Sequence, residues 1–213
     1  MVKIKKVVSG ELGINCYIIY DDETLKALIV DPGEDGDKVI AAIEAERLIP
    51  ELLINTHGHY DHILSDDKIR EKYKIPLAIH KDEVEMISDP QKNASVYFAK
   101  PTSVKAPEIL LSDGEIVSLS FAKFKVIHTP GHSKGGICLL FDGFLISGDT
   151  LFAGTIGRTD FPGGDFGEME NSLKKLAVLD PSTVIYPGHA SRTTLANELR
   201  HNPYLQNLST AGK

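Results

Sequence analysis

The sequence has no long apolar run and few cysteines. None of its apolar stretches approaches the ~20 consecutive residues that a membrane-spanning helix needs. The amino-terminal stretch MVKIKKVVSGELG lacks the apolar core of a secretory signal peptide. Two cysteines, Cys16 and Cys138, are too few for a disulfide framework and are typical of packed, reduced thiols. These absences disfavour an integral membrane protein and predict a cytoplasmic location.

Blocks of like charge are also absent. The 213 residues carry a formal net charge of -7, with acidic and basic residues interspersed, whereas nucleic-acid-binding proteins usually show a basic patch. No linker rich in Pro, Gly or Ser divides the chain. Hydrophobic residues make up 42% of it, which is enough for a sizeable core. We therefore expect one globular domain over residues 1–213 that binds neither nucleic acid nor membrane.

Apolar runs and turn signals alternate along the chain. Short β-rich runs bounded by turn residues predict strands, and apolar residues at helical spacing predict helices. Strands are predicted at 2–8, 14–20, 26–30, 51–55, 76–80, 115–119, 124–127, 137–141, 144–146 and 183–186, and helices at 36–47, 63–74, 83–87, 168–179 and 194–199. Residues 88–112 are expected to be irregular. This order predicts an α/β protein with two sheets covered by helices.

Four of the apolar strands lead into a histidine or an aspartate. The runs are LLINTHGH, FKVIHTPGH, FLISGD and TVIYPGH, and the residues are His57 with His59, His132, Asp149 and His189. Loops just beyond strand ends carry the chemistry in α/β architectures. The Gly or Pro beside each residue lets the backbone turn sharply. We therefore expect these side chains to form one site.

The stretch HGHYDH concentrates three histidines and an aspartate in six residues. His57 and His59 lie two apart, so in an extended segment their side chains share one face, and Asp61 continues this alternation. His62 is out of phase and points elsewhere unless the chain turns at residues 60–62. Such a turn would bring Asp61 and His62 to a second position. The spacing therefore favours two neighbouring ions over one.

The donor types indicate which ions would bind. Imidazole and carboxylate groups suit zinc, iron or manganese, whereas calcium and magnesium prefer shells of oxygen. A catalytic zinc takes three protein ligands and leaves one position open. The predicted ligands are His57, His59 and His132 for one ion, Asp61, His62 and His189 for the other, and Asp149 as a bridge. The two ions would share one bound water. Because metal binding lowers the pKa of water toward ~7, this water would be a hydroxide at neutral pH. The other histidines are predicted to be structural: His80, His128 and His201.

The motifs THGHYDH, TPGHS, SGDTLF and YPGH together resemble those of the metallo-β-lactamase superfamily. They occur in that family's order and extend over nearly the whole chain. The resemblance implies an αββα sandwich with a metal site at one edge, between the two sheets, and it implies the ligand assignment given above. The stretch GDTLFAGTIGRTDFPGGD, at 148–165, resembles the small glyoxalase II-like hydrolases. Asp149 fits that branch, whereas a zinc β-lactamase typically has Cys at this position.

The chain departs from glyoxalase II in two respects. Few residues follow His189, where glyoxalase II has a helical domain that helps to hold glutathione. Arg158 stands in the place of a glutathione-binding lysine, and either Asp160 or Phe161 lies near the place of a tyrosine. Arg158 could clamp a substrate carboxylate, or it could pair with Asp160 and shape the loop. Tyr60 lies beside the site, as a substrate contact or as a packing residue.

The resemblance predicts a metal-dependent hydrolase of thioesters, with S-D-lactoylglutathione or a similar small acyl-thiol as substrate. Two divalent ions, zinc first and iron or manganese as alternatives, would polarise the carbonyl, while Asp61 would orient the attacking hydroxide as the catalytic residue. A thiolate leaves without a strong general acid. Other functions stay open: a persulfide dioxygenase with one iron on His57, His132 and Asp149, a lactone or phosphodiester hydrolase, and a non-catalytic metal-binding module. The oligomeric state cannot be read from the sequence.

Overall fold

The computed structural model describes residues 1–208 and contains two six-stranded sheets. The end of the predicted domain, residues 209–213, lies outside the described residues. Across the first sheet the strands follow chain order: β1 (Val2–Ser9), β2 (Ile14–Asp21), β3 (Lys26–Val30), β4 (Ile49–Ile54), β5 (Leu77–His80) and β6 (Ile109–Leu111). The first three strands pair antiparallel, and β3 to β6 pair parallel.

The second sheet has a different order of strands. Across it lie β14 (Thr193–Thr194), β13 (Val184–Pro187), β10 (Phe144–Gly148), β9 (Ile137–Leu140), β8 (Lys123–His128) and β7 (Ile116–Ser118). β10 and β13 pair parallel, and the other neighbours pair antiparallel. A separate small hairpin of β11 (Leu151–Phe152) and β12 (Thr155–Ile156) follows β10.

Helices follow the strands of both sheets. Those of the first half are α1 (Gly36–Ala45), α2 (Tyr60–Ile63), α3 (Asp66–Tyr73), α4 (Val84–Ser88) and α5 (Ser95–Phe98), and those of the second half are α6 (Phe166–Ala177), α7 (Leu195–His201) and α8 (Pro203–Leu208). Asp35 caps the start of α1 by accepting a hydrogen bond from the backbone of Lys38, and Asp165 caps α6 in the same way. Within residues 1–208, no helix is both long and apolar enough to cross a membrane.

The core has three buried layers, one between the sheets and one under each set of helices. Alternate residues of β2 face different layers: Ile18 packs with Ile43 of α1, whereas Tyr17 packs in the same cluster as Phe124 of β8. Both faces of such a strand are therefore buried, which explains why β2 and β3 are nearly continuous apolar runs. The third layer joins Leu145 of β10 to α6 and α8 through Met169, Leu173 and Leu205. The order helix, sheet, sheet, helix confirms the predicted αββα sandwich.

Two sequence-based predictions of local structure were wrong in part. The predicted helix at 63–74 is two helices, since α2 begins at Tyr60 inside the HGHYDH motif and α3 starts again after Ser65. The segment 88–112, predicted to be irregular, contains α5 and the edge strand β6. Both elements are too short for periodicity to indicate them, and β6 forms because β5 offers it a free edge. The short elements β11, β12, β14 and α8 were not predicted.

Candidate metal centre

The four strands that were predicted to carry donors end at the same edge of the sandwich. His57 follows β4, His132 follows β8, Asp149 follows β10 directly, and His189 follows β13. β10 and β13 are parallel neighbours, so Asp149 and His189 emerge side by side. The adjoining loops are tied together by a 2.8 Å hydrogen bond from the Gly188 N–H to the Gly148 carbonyl. The sheets thus position all the donors from the ends of rigid strands.

The first group of donors consists of His57, His59 and His132. Their ligand atoms all lie within 4.8 Å of one another, and all three residues are buried. Nδ1 of His59 lies 2.8 Å from Nε2 of His132. The Nδ1 atom of His132 also lies 2.7 Å from the Arg158 carbonyl oxygen, to which it can donate, leaving Nε2 unprotonated and facing the cluster.

The second group consists of Asp61, His62 and His189. Oδ2 of Asp61 lies 3.2 Å from Nε2 of His189 and 3.7 Å from Nε2 of His62. Asp61 and His62 lie apart from His57 and His59 because the chain changes direction where α2 begins at Tyr60, with His59 as its N-cap residue. The turn at residues 60–62 that the alternation required is therefore present. The turn divides the motif into two pairs of side chains: His57 and His59 in the first group, and Asp61 and His62 in the second.

Asp149 lies between the two groups. One oxygen, Oδ1, is 3.5 Å from Nε2 of His62, and the other, Oδ2, is 3.5 Å from Nε2 of His132 and 3.6 Å from Nε2 of His189. Within residues 1–208, several buried atoms of the cluster have no hydrogen-bond partner: Nε2 of His57, His59 and His62, and Oδ1 of Asp149. Buried polar atoms without partners are costly. This convergent set of nitrogen and oxygen donors fits divalent metal ions.

Burial and neighbouring charges set the protonation of the cluster. Removal from water, aided by nearby imidazoles, lowers the pKa of His57 well below its usual value and that of His59 to about 3. Burial opposes the ionisation of Asp149, but the surrounding imidazoles, His62 first, hold its pKa below the usual value. Burial likewise opposes protonation of His62, yet the carboxylates around it raise its pKa, Asp61 first. His57 and His59 therefore stay neutral and Asp149 stays ionised, which are the forms of these side chains that bind metal ions.

Two buried carboxylates that the sequence did not reveal support the donors. Asp31, at the end of β3, accepts hydrogen bonds from the backbone and the hydroxyl of Thr56, and its Oδ2 lies 3.0 Å from Nδ1 of His62. Glu83 accepts a 2.7 Å bond from the Gly58 N–H and a 2.6 Å bond from the Gly135 N–H. Asp31 carried a signal, because it follows an apolar strand directly, as Asp149 does. Glu83 carried none.

The three residues predicted near the substrate have different surroundings. Arg158 and Asp160 form a two-pronged ion pair with both distances 2.7 Å, and the Arg158 guanidinium lies 3.7 Å over the Phe161 ring. Tyr60 stacks on Phe98 at 5.9 Å between ring centroids. Arg158 and Tyr60 line a cavity of about 300 Å³ above the donors, whereas Asp160 does not. The ion pair favours the loop-shaping role for Arg158 and Asp160.

A further cluster of His80, Asp82 and His128 brings possible donor atoms together on another part of the surface. The His80 and His128 rings stack at 4.1 Å with an angle of only 12° between their planes. A metal ion must lie near the plane of each imidazole that binds it, and two nearly parallel, stacked planes do not meet at a common ion. This arrangement agrees with the prediction that both histidines are structural.

A sandwich of two sheets between helices, with histidines and aspartates at one edge, defines a metal-dependent hydrolase of the metallo-β-lactamase type. The chain belongs to the metallo-beta-lactamase superfamily, whose family model matches residues 9–189. It is 34% identical over 205 residues to the hydroxyacylglutathione hydrolase GloC of Haemophilus influenzae, covering 92% of this chain and 94% of that protein. This relative supports the glyoxalase II-like branch.

Two solved structures show the same fold at similar identity. The crystal structure of the BLEG-1 B3 metallo-beta-lactamase matches with a TM-score of 0.91 and 35% identity, covering 95% of this chain and 99% of that chain. The structure of TTHA1623 in a di-iron-bound form matches with a TM-score of 0.82 and 32% identity, covering 94% of this chain and 100% of that chain. Relatives of this fold therefore include proteins described by a lactamase activity and by bound iron.

Proposed function

We propose that this protein hydrolyses thioesters at a centre of two divalent metal ions. One ion would be held by His57, His59 and His132, the other by Asp61, His62 and His189, with Asp149 between them. The observation that carries the proposal is the convergence of these seven side chains, with unpartnered nitrogen and oxygen atoms facing one another in a buried cluster. We expect both ions to be zinc, with iron or manganese as the alternatives.

The ions, when bound, supply Lewis acidity, which polarises a carbonyl and makes bound water acidic. The protein supplies the rest. Asp61 accepts a hydrogen bond from the attacking water and so orients it toward the carbonyl carbon. Burial of the histidines keeps bulk water from the donors, which strengthens the electrostatic interactions of the site. Asp61 is therefore the residue of this chain that we assign to catalysis.

The leaving group favours thioesters over amides. Addition of water to a thioester forms one C–O bond and breaks the C–S bond, giving a carboxylic acid and a thiol, with a proton of the water ending on sulfur or in solvent. A thiol has a pKa of about 8.5, so the thiolate departs without protonation. An amine must be protonated as it leaves. The hydrolase GloC, by its name, acts on a glutathione thioester, which supports the same bond type here.

Glutathione itself is not required by the site. The Arg158 guanidinium, which replaces the expected lysine, is already paired with Asp160. Asp160 therefore competes with the carboxylates of glutathione for this guanidinium. We accordingly propose an acyl-thiol substrate in general, with S-D-lactoylglutathione as one member of the class.

The test is a substrate panel with protein loaded with zinc, iron or manganese. Thioesters, including S-D-lactoylglutathione, are compared with a cephalosporin, a lactone, a phosphodiester and, in an oxygen electrode, glutathione persulfide. We expect the thioesters to give the highest kcat/KM with at least one metal. Oxygen consumption with the persulfide and no thioester hydrolysis would replace the proposal by the dioxygenase alternative. Preferred cleavage of the cephalosporin would replace it by the activity named for the lactamase relative.

A further inference from the structure

The cavity above the donors has an apolar wall. It holds about 300 Å³, and the residues that line it together with the donors include Leu12, Ala94, Phe98, Phe152 and Phe161. Apart from the proposed metal ligands, the described residues that line this cavity include a single charged side chain, Arg158. That charge is engaged by Asp160. A substrate group in this cavity therefore meets carbon atoms and few free polar groups.

The aromatic rings of this wall are fixed by contacts with one another. Phe98 stacks on Tyr60 and lies 6.2 Å from Phe161, centroid to centroid. Phe161 packs between the Arg158 guanidinium and the edge of the His59 ring, at 5.6 Å from the latter. Phe98 nevertheless leaves 60% of its surface exposed, and Leu12 leaves 58%. Apolar surface that is held open beside reactive groups favours binding of an apolar ligand.

A second cavity, the more polar of the two and called the polar cavity below, adjoins the apolar one. It holds about 580 Å³ and is lined by the polar residues Ser9, Glu11, Glu34, Lys100 and Thr102 and by apolar residues that include Ile14 and Leu64. Four residues line both cavities: Leu12, Tyr60, Asp61 and Phe98. A thioester has two unlike ends, an acyl group and a thiol carrier, joined at the carbonyl. The two cavities meet beside Asp61, where the carbonyl carbon must react.

We propose that the preferred substrates are thioesters with an apolar acyl group, alkyl or aryl, which occupies the cavity walled by Leu12, Phe98, Phe152 and Phe161 while the thiol carrier extends into the polar cavity. This inference rests on the proposed function and names its substrate class. Transfer of each methylene from water to an apolar wall changes an equilibrium by about fourfold. The acyl group, which reaches this wall, is therefore the part of the substrate that sets specificity.

The experiment uses the metal-loaded protein and one uncharged thiol, N-acetylcysteamine, carrying acetyl, lactoyl, butanoyl, hexanoyl or benzoyl groups. We expect kcat/KM to rise by up to about fourfold per methylene until the cavity is filled, and benzoyl to exceed acetyl by more than tenfold. Calorimetry with the corresponding uncleavable thioethers should show the same order of affinity. A flat series, or a preference for lactoyl or acetyl, would overturn the inference while leaving thioester hydrolysis intact.

Phe98→Ala identifies the wall, and Tyr97→Ala is its matched control. Both side chains are exposed aromatic rings on α5, but only Phe98 lines the cavity. We expect Phe98→Ala to lower kcat/KM for hexanoyl and benzoyl substrates at least tenfold more than for the acetyl substrate, whereas Tyr97→Ala follows wild type. Equal losses for all acyl groups would overturn the inference. If the wild-type protein cleaved none of the thioesters, S-D-lactoylglutathione included, the result would instead contradict the proposed function.

Discussion

The Nδ1 atom of His62 lies 3.0 Å from the Oδ2 atom of Asp31, and both side chains are buried. The Asp31 carboxylate therefore places a negative charge against the Nδ1 side of the ring, whereas Nε2 of His62 faces Asp61 and Asp149. Because Asp31 also receives two hydrogen bonds from Thr56, it is itself held in place. A residue outside the donor set thus places a carboxylate on the side of the His62 ring that faces away from Asp149.

Asp31→Asn tests this relationship. The amide places an uncharged group, and in one orientation a second donor, against Nδ1 of His62. We expect affinity for the second metal ion to fall by about 10–100-fold, measured by competition with a chelator. Asp37→Asn is the control, since Asp37 is an exposed residue of α1 paired with Lys68. Unchanged affinity in Asp31→Asn would show that Asp31 does not orient the ring.

Gly188→Ala tests the close packing around Asp149. A Cβ atom at position 188 would lie 2.2 Å from Oδ1 of Asp149 and 2.9 Å from Cε1 of His62. The carboxylate must move, so we expect metal affinity to fall at least about tenfold. Gly143→Ala is the control: it has a φ of +79° but no atom within 4 Å of the added Cβ. That variant should lose stability and keep its metals, and equal metal loss in both variants would contradict the explanation.

Glu83→Ala tests the link between the two loops that carry His59 and His132. Removal of the carboxylate leaves the buried N–H groups of Gly58 and Gly135 without an acceptor. Each buried group left unpaired costs about 1–3 kcal/mol, so the free energy of unfolding should fall clearly in urea denaturation. Glu85→Ala, which removes an exposed partner of Lys92, should change it little. Similar effects of the two substitutions would mean that Glu83 does not hold the loops.

The stacked His80 makes stability depend on pH. Burial, and then the adjacent His128, lowers the pKa of His80 to about 4, whereas an unfolded histidine titrates near ~6.5. Between these values the unfolded chain binds a proton that the folded chain excludes, so this contribution is complete above pH ~6.5 and is lost as the pH falls toward 4. In metal-loaded protein, His80→Asn should make the decline shallower between pH 7 and 5. His201→Asn, which changes an exposed histidine, is the control. If the free energy of unfolding fell equally steeply with pH in wild type, His80→Asn and His201→Asn, the prediction would be refuted.

The sequence predicted which side chains would meet but not the residues that support them. His57, His132, Asp149 and His189 were expected to meet because each follows an apolar run, and strand ends meet at one edge in such folds. The β-rich runs at 14–20 and 26–30 likewise predicted strands, which are β2 and β3. Asp31 and Glu83 act through partners far away in sequence, which only the folded chain brings near. The break between α2 and α3 was missed because the apolar spacing continues through Leu64 while the backbone changes at Ser65.

The central claim is that seven side chains hold two ions, with Asp149 between them. The most direct test is the metal content of wild type and of Asp149→Ala, measured by mass spectrometry on the purified proteins. We expect about two ions per wild-type chain and a clear loss in Asp149→Ala, with thioester hydrolysis reduced more than about a hundredfold. Asp142→Ala, which changes an exposed aspartate in the β9–β10 turn, should keep both ions. Full metal content and full activity in Asp149→Ala would contradict the claim.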